Sequence, residues 1–233
     1  MSRSRRYGSA AELVDHSRAY SLAEAIELLL KLPRAKFDET VEVAVQLGVD
    51  PKKSDQMVRG TVALPHGTGK SVRVIAICQG DQAREALDAG ADFVGFKELI
   101  EKIQGGWLEF DVMVAAPDTM RELGKLGKLL GPRGLMPSPK SGTVSADVGQ
   151  AVREVKAGKI KFKIDKNANL HVPIGKASFD AAKLRANGEA ALSAVLKAKP
   201  SSAKGEYLKS ATLSSTMGPG IRLELKAIGA LGT

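Results

Sequence analysis

From residue 39 to residue 47 the chain alternates without a break, with Val41, Val43, Val45 and Leu47 on one side and Thr40, Glu42, Ala44 and Gln46 on the other. A period of two is what a strand shows when one face is buried and the other is wet. A helix would bring its apolar residues back every three or four positions. The same texture returns only after residue 158, where Ile160, Phe162 and Ile164 alternate with Lys161, Lys163 and Asp165. Between the two stretches the chain changes character. Residues 72–78 and 111–116 are almost wholly apolar, as strands covered on both faces are. Helix-like stretches over 82–89, 97–104, 120–130 and 148–157 surround them. A style that starts, is interrupted and resumes predicts an α+β two-domain protein. One domain is built from both chain ends, residues 1–67 plus 159–233, and a three-layer, Rossmann-like α/β domain, residues 68–158, is inserted.

Local signals fill in the rest. Ser21 and Glu24 form a capping-box pattern ahead of Leu22, Ile26, Leu29 and Leu30, so a helix starts at Ser21 and Pro33 closes it. A second strand is expected over 58–64, stopped by Pro65-His66-Gly67, and a turn over 167–169 leads to a return strand over 170–174. A helix over 178–199 ends at Pro200, and strands follow over 206–216 and 221–225. Gly67, Gly69 and Gly158 stand at the two crossings between the expected domains and are hinge candidates.

The strand over 206–216 carries the strongest hint of function. Ser210, Thr212, Ser214 and Thr216 recur at a spacing of two, so they share a face and offer a row of groups that both donate and accept hydrogen bonds. They run into the turn Gly218-Pro219-Gly220. Such a row suits sugar hydroxyls and phosphates, or is the polar, solvated face of an ordinary strand. The net charge of +9 and the pI near 9.6 point to a polyanion, with nucleic acid first among the candidates. The charge is unevenly spread: 10 Lys/Arg against 9 Asp/Glu over residues 1–67, 12 against 12 over 68–158, and 13 against 5 over 159–233. Lys36-Phe37, between the first helix and the first strand, admits two readings: an exposed ring beside a cation, able to stack on a base or sugar, or a core phenylalanine.

Other chemistries find little footing. Cys78 is the single cysteine and sits in an apolar run, while His16, His66 and His171 are scattered, so no metal-ligand spacing and no cofactor is expected. Gly67-Thr68-Gly69-Lys70-Ser71 imitates the end of a phosphate-binding loop, but Leu64 stands where the motif needs glycine and a strand, not a helix, follows. No GxGxxG turn follows the strand over 72–78. The loop from Gly131 to Lys140 admits two readings: Arg133 and backbone amides meeting a phosphate, or a structured loop packed on its domain. No Ser/His/Asp, Cys/His or paired-carboxylate arrangement is identifiable, so the chain is not expected to be an enzyme. The rival reading is an α/β enzyme or binding domain for a phosphorylated metabolite over residues 68–158. Arg3, Arg5 and Arg6 precede no apolar stretch and no apolar run reaches 18 residues, so neither a secretory signal nor a membrane span is expected, and the chain is assigned to the cytoplasm.

Several longer motifs occur in a fixed order: Ala35-Lys36-Phe37-Asp38-Glu39-Thr40-Val41-Glu42, then Asp55-Gln56-Met57-Val58-Arg59-Gly60-Thr61-Val62, then the Gly131 to Lys140 loop. Ala157-Gly158-Lys159, Gly175-Lys176-Ala177-Ser178-Phe179 and Thr216-Met217-Gly218-Pro219 follow. Through them the chain resembles, over essentially its whole length, the bacterial family of the first protein of the large ribosomal subunit. The resemblance implies an end-built domain that binds 23S ribosomal RNA at the mobile stalk and an inserted domain hinged to it. It also implies contact with exit-site tRNA during its release and, in relatives, repression of translation from the protein's own operon mRNA. Carried over position by position, it places RNA contacts at Lys36, Phe37, Thr40, Asp165, Lys166, Ser210, Thr212, Thr216, Met217 and Gly218; Ser214 is added from the alternation alone. Ser138 departs from the family, which often has Asn there.

Overall fold

The alternating stretch becomes β1 (Thr40–Leu47), a central strand of a four-stranded sheet in the computed structural model, which describes residues 4–230 and Lys140 by its backbone alone. β7 (Asn169–Lys176) and β8 (Leu208–Ser215) flank it, both antiparallel, and β9 (Ile221–Arg222) pairs with the far edge of β8. The inward residues of β1 are all buried and meet Leu170, Val172 and Ile174 of β7 and Ala211 and Leu213 of β8. Two helices close this face. α2 (Leu22–Lys31) contributes Ile26 and Leu29, and α8 (Ala181–Lys197) contributes Leu184, Ala191, Leu192 and Val195. The start of α2 is fixed locally: Glu24 N–H donates to Ser21 Oγ at 3.3 Å, and Ser21 N–H donates to the Glu24 carboxylate at 2.9 Å. This satisfies two of the helix's orphan donors.

A separate two-stranded ribbon joins β2 (Arg59–Ala63) to β6 (Lys159–Lys163). Phe162 turns into the core there and lies across Gly60, where an added Cβ would come within 2.7 Å of its ring. Two helices differ from expectation. α1 (Arg5–Glu12) was not foreseen, because Ala10 is its one buried residue and no apolar stripe marks it. The strand expected over 221–225 stops at Arg222, and α9 (Leu225–Gly229) begins where it should have continued.

The parallel three-stranded sheet has β3 (Val74–Ile77) between β4 (Phe93–Gly95) and β5 (Val112–Ala115). Val74 and Ala76 pack with Ala86 of α3 (Asp81–Asp88) and Val148, Val152 and Val155 of α7 (Val148–Lys156). Ile75 and Ile77 pack on the other side with Leu99, Ile100 and Ile103 of α4 (Lys97–Gln104). Coverage on both faces is why residues 72–78 carry no polar alternation. Cys78 is buried in the first of these clusters, and that burial pushes its thiol pKa up. The helix expected over 120–130 is broken into α5 (Met120–Leu123), a 3-10 turn (Gly124–Leu126) and α6 (Gly127–Leu130). Gly124 and Gly127 weaken a continuous helix by about 1 kcal/mol each, while Leu123, Leu126 and Leu130 still reach the core.

The chain is thus a mixed α and β protein, and it divides into two compact units: Met1–Gly69 with Ile160–Thr233, and Lys70–Lys159. Gly67, Gly69 and Gly158 have φ of 64°, 73° and 104°, in the left-handed region that favours glycine. The first crossing is tied down within its own unit. The buried Asn187 of α8 accepts from His66 N–H at 3.0 Å and donates through Nδ2 to the carbonyls of Gly67 at 2.8 Å and Ile174 at 2.7 Å.

Candidate nucleic-acid interface

The solvent-facing side of the β7-β1-β8-β9 sheet is built by register. Glu42, Ala44 and Gln46 of β1 stand opposite Ser214, Thr212 and Ser210 of β8, while Ala211 and Leu213 are buried behind them. The row of hydroxyls therefore exists as a row for three of its members. On the other side of β1, Ala44 faces His171 and Gln46 faces Asn169, and Arg222 of β9 faces Thr212. His171, Asn169 and Arg222 were not named as contacts from the sequence, though the alternation of residues 169–174 would have put the first two on this face. His171 Nδ1 lies 3.9 Å from the Glu42 carboxylate.

The fourth hydroxyl lies past the strand and does something different. Thr216 N–H donates to Thr40 O at 3.0 Å, and Thr40 N–H donates to Thr216 Oγ1 at 3.0 Å, so Thr216 closes the end of the β1–β8 ladder. Thr40 Oγ1 in turn accepts from Lys176 Nζ at 2.9 Å. Beside this closure two large apolar side chains stand out in solvent, Phe37 at 54% exposure and Met217 at 50%. Phe37 is not a core residue. Lys36 is exposed next to it. Gly218 lies tight on the turn: an added Cβ would sit 2.5 Å from Ser215 Oγ.

Glu39, only 1% exposed, lies behind that corner. Its Oε1 accepts from Ala35 N–H at 2.6 Å, and its Oε2 accepts from Ser215 Oγ at 2.6 Å and Met217 N–H at 3.0 Å. Arg6 Nη1 lies 3.9 Å from Oε1. Arg6 also donates to Met217 O at 2.8 Å and Pro33 O at 3.1 Å. Burial works to raise the Glu39 pKa, but the bonds from Ser215, Ala35 and Met217 and the Arg6 charge outweigh it and hold the carboxyl below its ordinary value. Sequence reasoning passed over Glu39 because its partners lie at both ends of the chain.

Asp165 and Lys166 sit elsewhere. Asp165 Oδ1 accepts from Asn167 N–H at 2.8 Å and Asn169 N–H at 2.7 Å, which closes a turn with Ala168 at φ 61°. The Asn169 N–H bond foremost, with that from Asn167, holds the Asp165 carboxyl below its usual range despite an opposing desolvation effect. Ala168 O accepts from Leu47 N–H at 2.9 Å, so this turn is at the opposite end of β1 from Thr40, about 23 Å away at the rise of an extended strand. The sequence-named residues thus form a corner of Lys36, Phe37, Thr40, Thr216, Met217 and Gly218, a central pair of Thr212 and Ser214, and a far end of Ser210, Asp165 and Lys166.

In the other unit, Leu135 and Met136 pack onto the Leu123, Leu126 and Leu130 side of the core, while Arg133 is exposed. The Lys140 side chain lies outside the described residues. Gly67 to Ser71 leads into β3 and not into a helix. Among the described residues no three His, Cys, Asp or Glu side chains group as a metal site, and no helix is long and apolar enough to cross a membrane.

Residues 29–219, from α2 through the Met217-Gly218 turn, match the model of the ribosomal protein L1p/L10e family. The chain belongs to this family. Among its L1p/L10e relatives, the large ribosomal subunit protein uL1 of Saccharopolyspora erythraea is 60% identical over 222 residues, covering 95% of this chain and 93% of that protein. The protein of the same name from Protochlamydia amoebophila is 54% identical over 223 residues, covering 96% of this chain and 94% of its own. An L1p/L10e protein is a structural ribosomal protein and not an enzyme, which removes the reading of residues 68–158 as a metabolite enzyme.

Proposed function

We propose that this chain is a cytoplasmic protein of the large ribosomal subunit that grips 23S ribosomal RNA with the outer face and corner of its four-stranded sheet. The observation that carries this reading is the convergence at one corner of two half-exposed apolar side chains, Phe37 and Met217, with the Thr40–Thr216 closure, 176 residues apart in sequence. Phe37 and Met217 stack or pack on sugars and bases, Thr212 and Ser214 read 2′-hydroxyls, and the backbone at Gly218 comes close to the RNA chain. Lys36, Lys166 and Arg222 supply phosphate contacts whose strength falls with salt. Recognition is by shape and hydroxyls more than by base sequence.

The two units then act as two domains. Both chain ends build the RNA anchor, the Rossmann-like inserted part moves against it at Gly67, Gly69 and Gly158, and that motion assists release of tRNA from the exit site. Names of uL1 relatives support the ribosomal placement; the hinge glycines support the motion. The same RNA surface binds a matching structure in the protein's own operon mRNA and represses its translation. Filter binding to a 23S stalk fragment tests the anchor. Phe37→Ala with Met217→Ala is expected to weaken binding by at least about tenfold, on the scale of lost base stacking, and unchanged affinity would sink the reading. Leader mRNA competing for the wild-type chain would support the repression arm, and absence of competition would remove it.

A further inference from the structure

We propose that Glu39, with Arg6 beside it, is a positioning residue that sets the distance between the Phe37 loop and the Met217 turn, and so pre-forms the corner on which RNA docks. This rests on the RNA reading above and says how that surface is held. Neither the Phe37 loop nor the Met217 turn belongs to a helix or strand, and ladder bonds stop at Thr40 and Thr216. Beyond that point, the Glu39 carboxylate bridges the two segments. Glu39 Oε1 takes the Ala35 N–H, two residues before Phe37, and Oε2 takes the Met217 N–H and the Ser215 hydroxyl. Arg6 ties the same two segments from outside, through Pro33 O and Met217 O.

A carboxylate at 1% exposure is costly unless every lone pair is used. Here, the carboxylate is met by Ala35, Ser215 and Met217 of the corner and by Arg6 of α1. An apolar residue would leave two backbone N–H groups without acceptors and the corner free to open. Pre-organisation of this kind improves affinity by sparing the ordering of both segments on binding.

Glu39→Gln tests this in the full-length chain, because one carboxylate oxygen becomes an amide that meets an N–H donor. The expected result is a loss of about tenfold in affinity for a 23S stalk RNA fragment, the size of one broken buried bond. In a Phe37→Ala/Met217→Ala background the same change should cost less than about twofold, because the groups it positions are gone. An equal loss in both backgrounds, or no loss in the parent chain, overturns the proposal. If Glu39→Gln does not fold, Arg6→Met enters the same cycle, with the same non-additivity expected and additivity overturning the assignment. Failure of Phe37→Ala/Met217→Ala itself to weaken binding marks a different failure, that of the RNA surface, and takes the proposal with it.

Discussion

Thr216, a proposed RNA contact, is at the scale of one residue a structural group as well. Its Oγ1 already accepts the Thr40 N–H, so Thr216→Val removes the ladder's last acceptor together with the proposed RNA contact. We expect a loss of about 1 to 3 kcal/mol in RNA affinity, measured by filter binding, with little change in the salt slope; Thr216→Ser should keep most of it. Lys166→Ala should do the opposite, lowering the slope of log affinity against log salt by about one. Asp111 carries the clearest acid sensitivity. Its bond from Lys70 Nζ at 2.8 Å, with the Arg73 N–H and guanidinium behind it, pushes its pKa down to about 2. A folded value below the unfolded value of about 3.9 means a stabilisation present above that pH and lost as the pH falls toward the folded value. Asp111→Asn should therefore flatten the dependence of melting temperature on pH between about 4 and about 2.

At the scale of elements, the parts that were legible are those whose signal is local. β1 and α2 were readable because a half-buried strand must alternate and a capping box declares a helix start. Ser21→Ala should cost about 1 kcal/mol in urea unfolding and leave RNA affinity untouched, since α2 lies on the covered face of the sheet. The broken helix over 120–130 was misread because its leucines keep helical spacing while two glycines let the backbone change pitch. α1 was invisible because a single residue, Ala10, anchors it in the core, while Arg6 reaches across to residues 33 and 217. The same holds at the corner. Lys36, Phe37 and Met217 were nameable through motifs, whereas Glu39 looked like the first residue of a strand. Its role depends on which distant turn comes to lie beside it. Gly218→Ala is a sharp check on that packing: a methyl 2.5 Å from Ser215 Oγ must displace the turn, and RNA binding should weaken without a matching drop in melting temperature.

At the scale of the whole molecule, charge and candidate contacts coincide. The excess of cations lies in residues 159–233, the stretch that also supplies β8 and the Met217 turn, while residues 68–158 are neutral. Replacing residues 70–159 by a short flexible linker should leave most of the RNA affinity and its salt dependence in place; loss of both would mean that the anchor extends into that unit. The register of β1 also bears on the order of synthesis. Both neighbours of β1 are made late, β7 from residue 169 onward and β8 from residue 208 onward. A growing chain carries Phe37 and Thr40 for most of its translation with nothing to pair them to, and such long-range closure is slow. If the outer face of this sheet is the RNA surface, competence for RNA should arrive only when the final strands leave the exit tunnel, and a chain terminated before residue 208 should fail to bind a 23S stalk fragment, however well its first helices have formed.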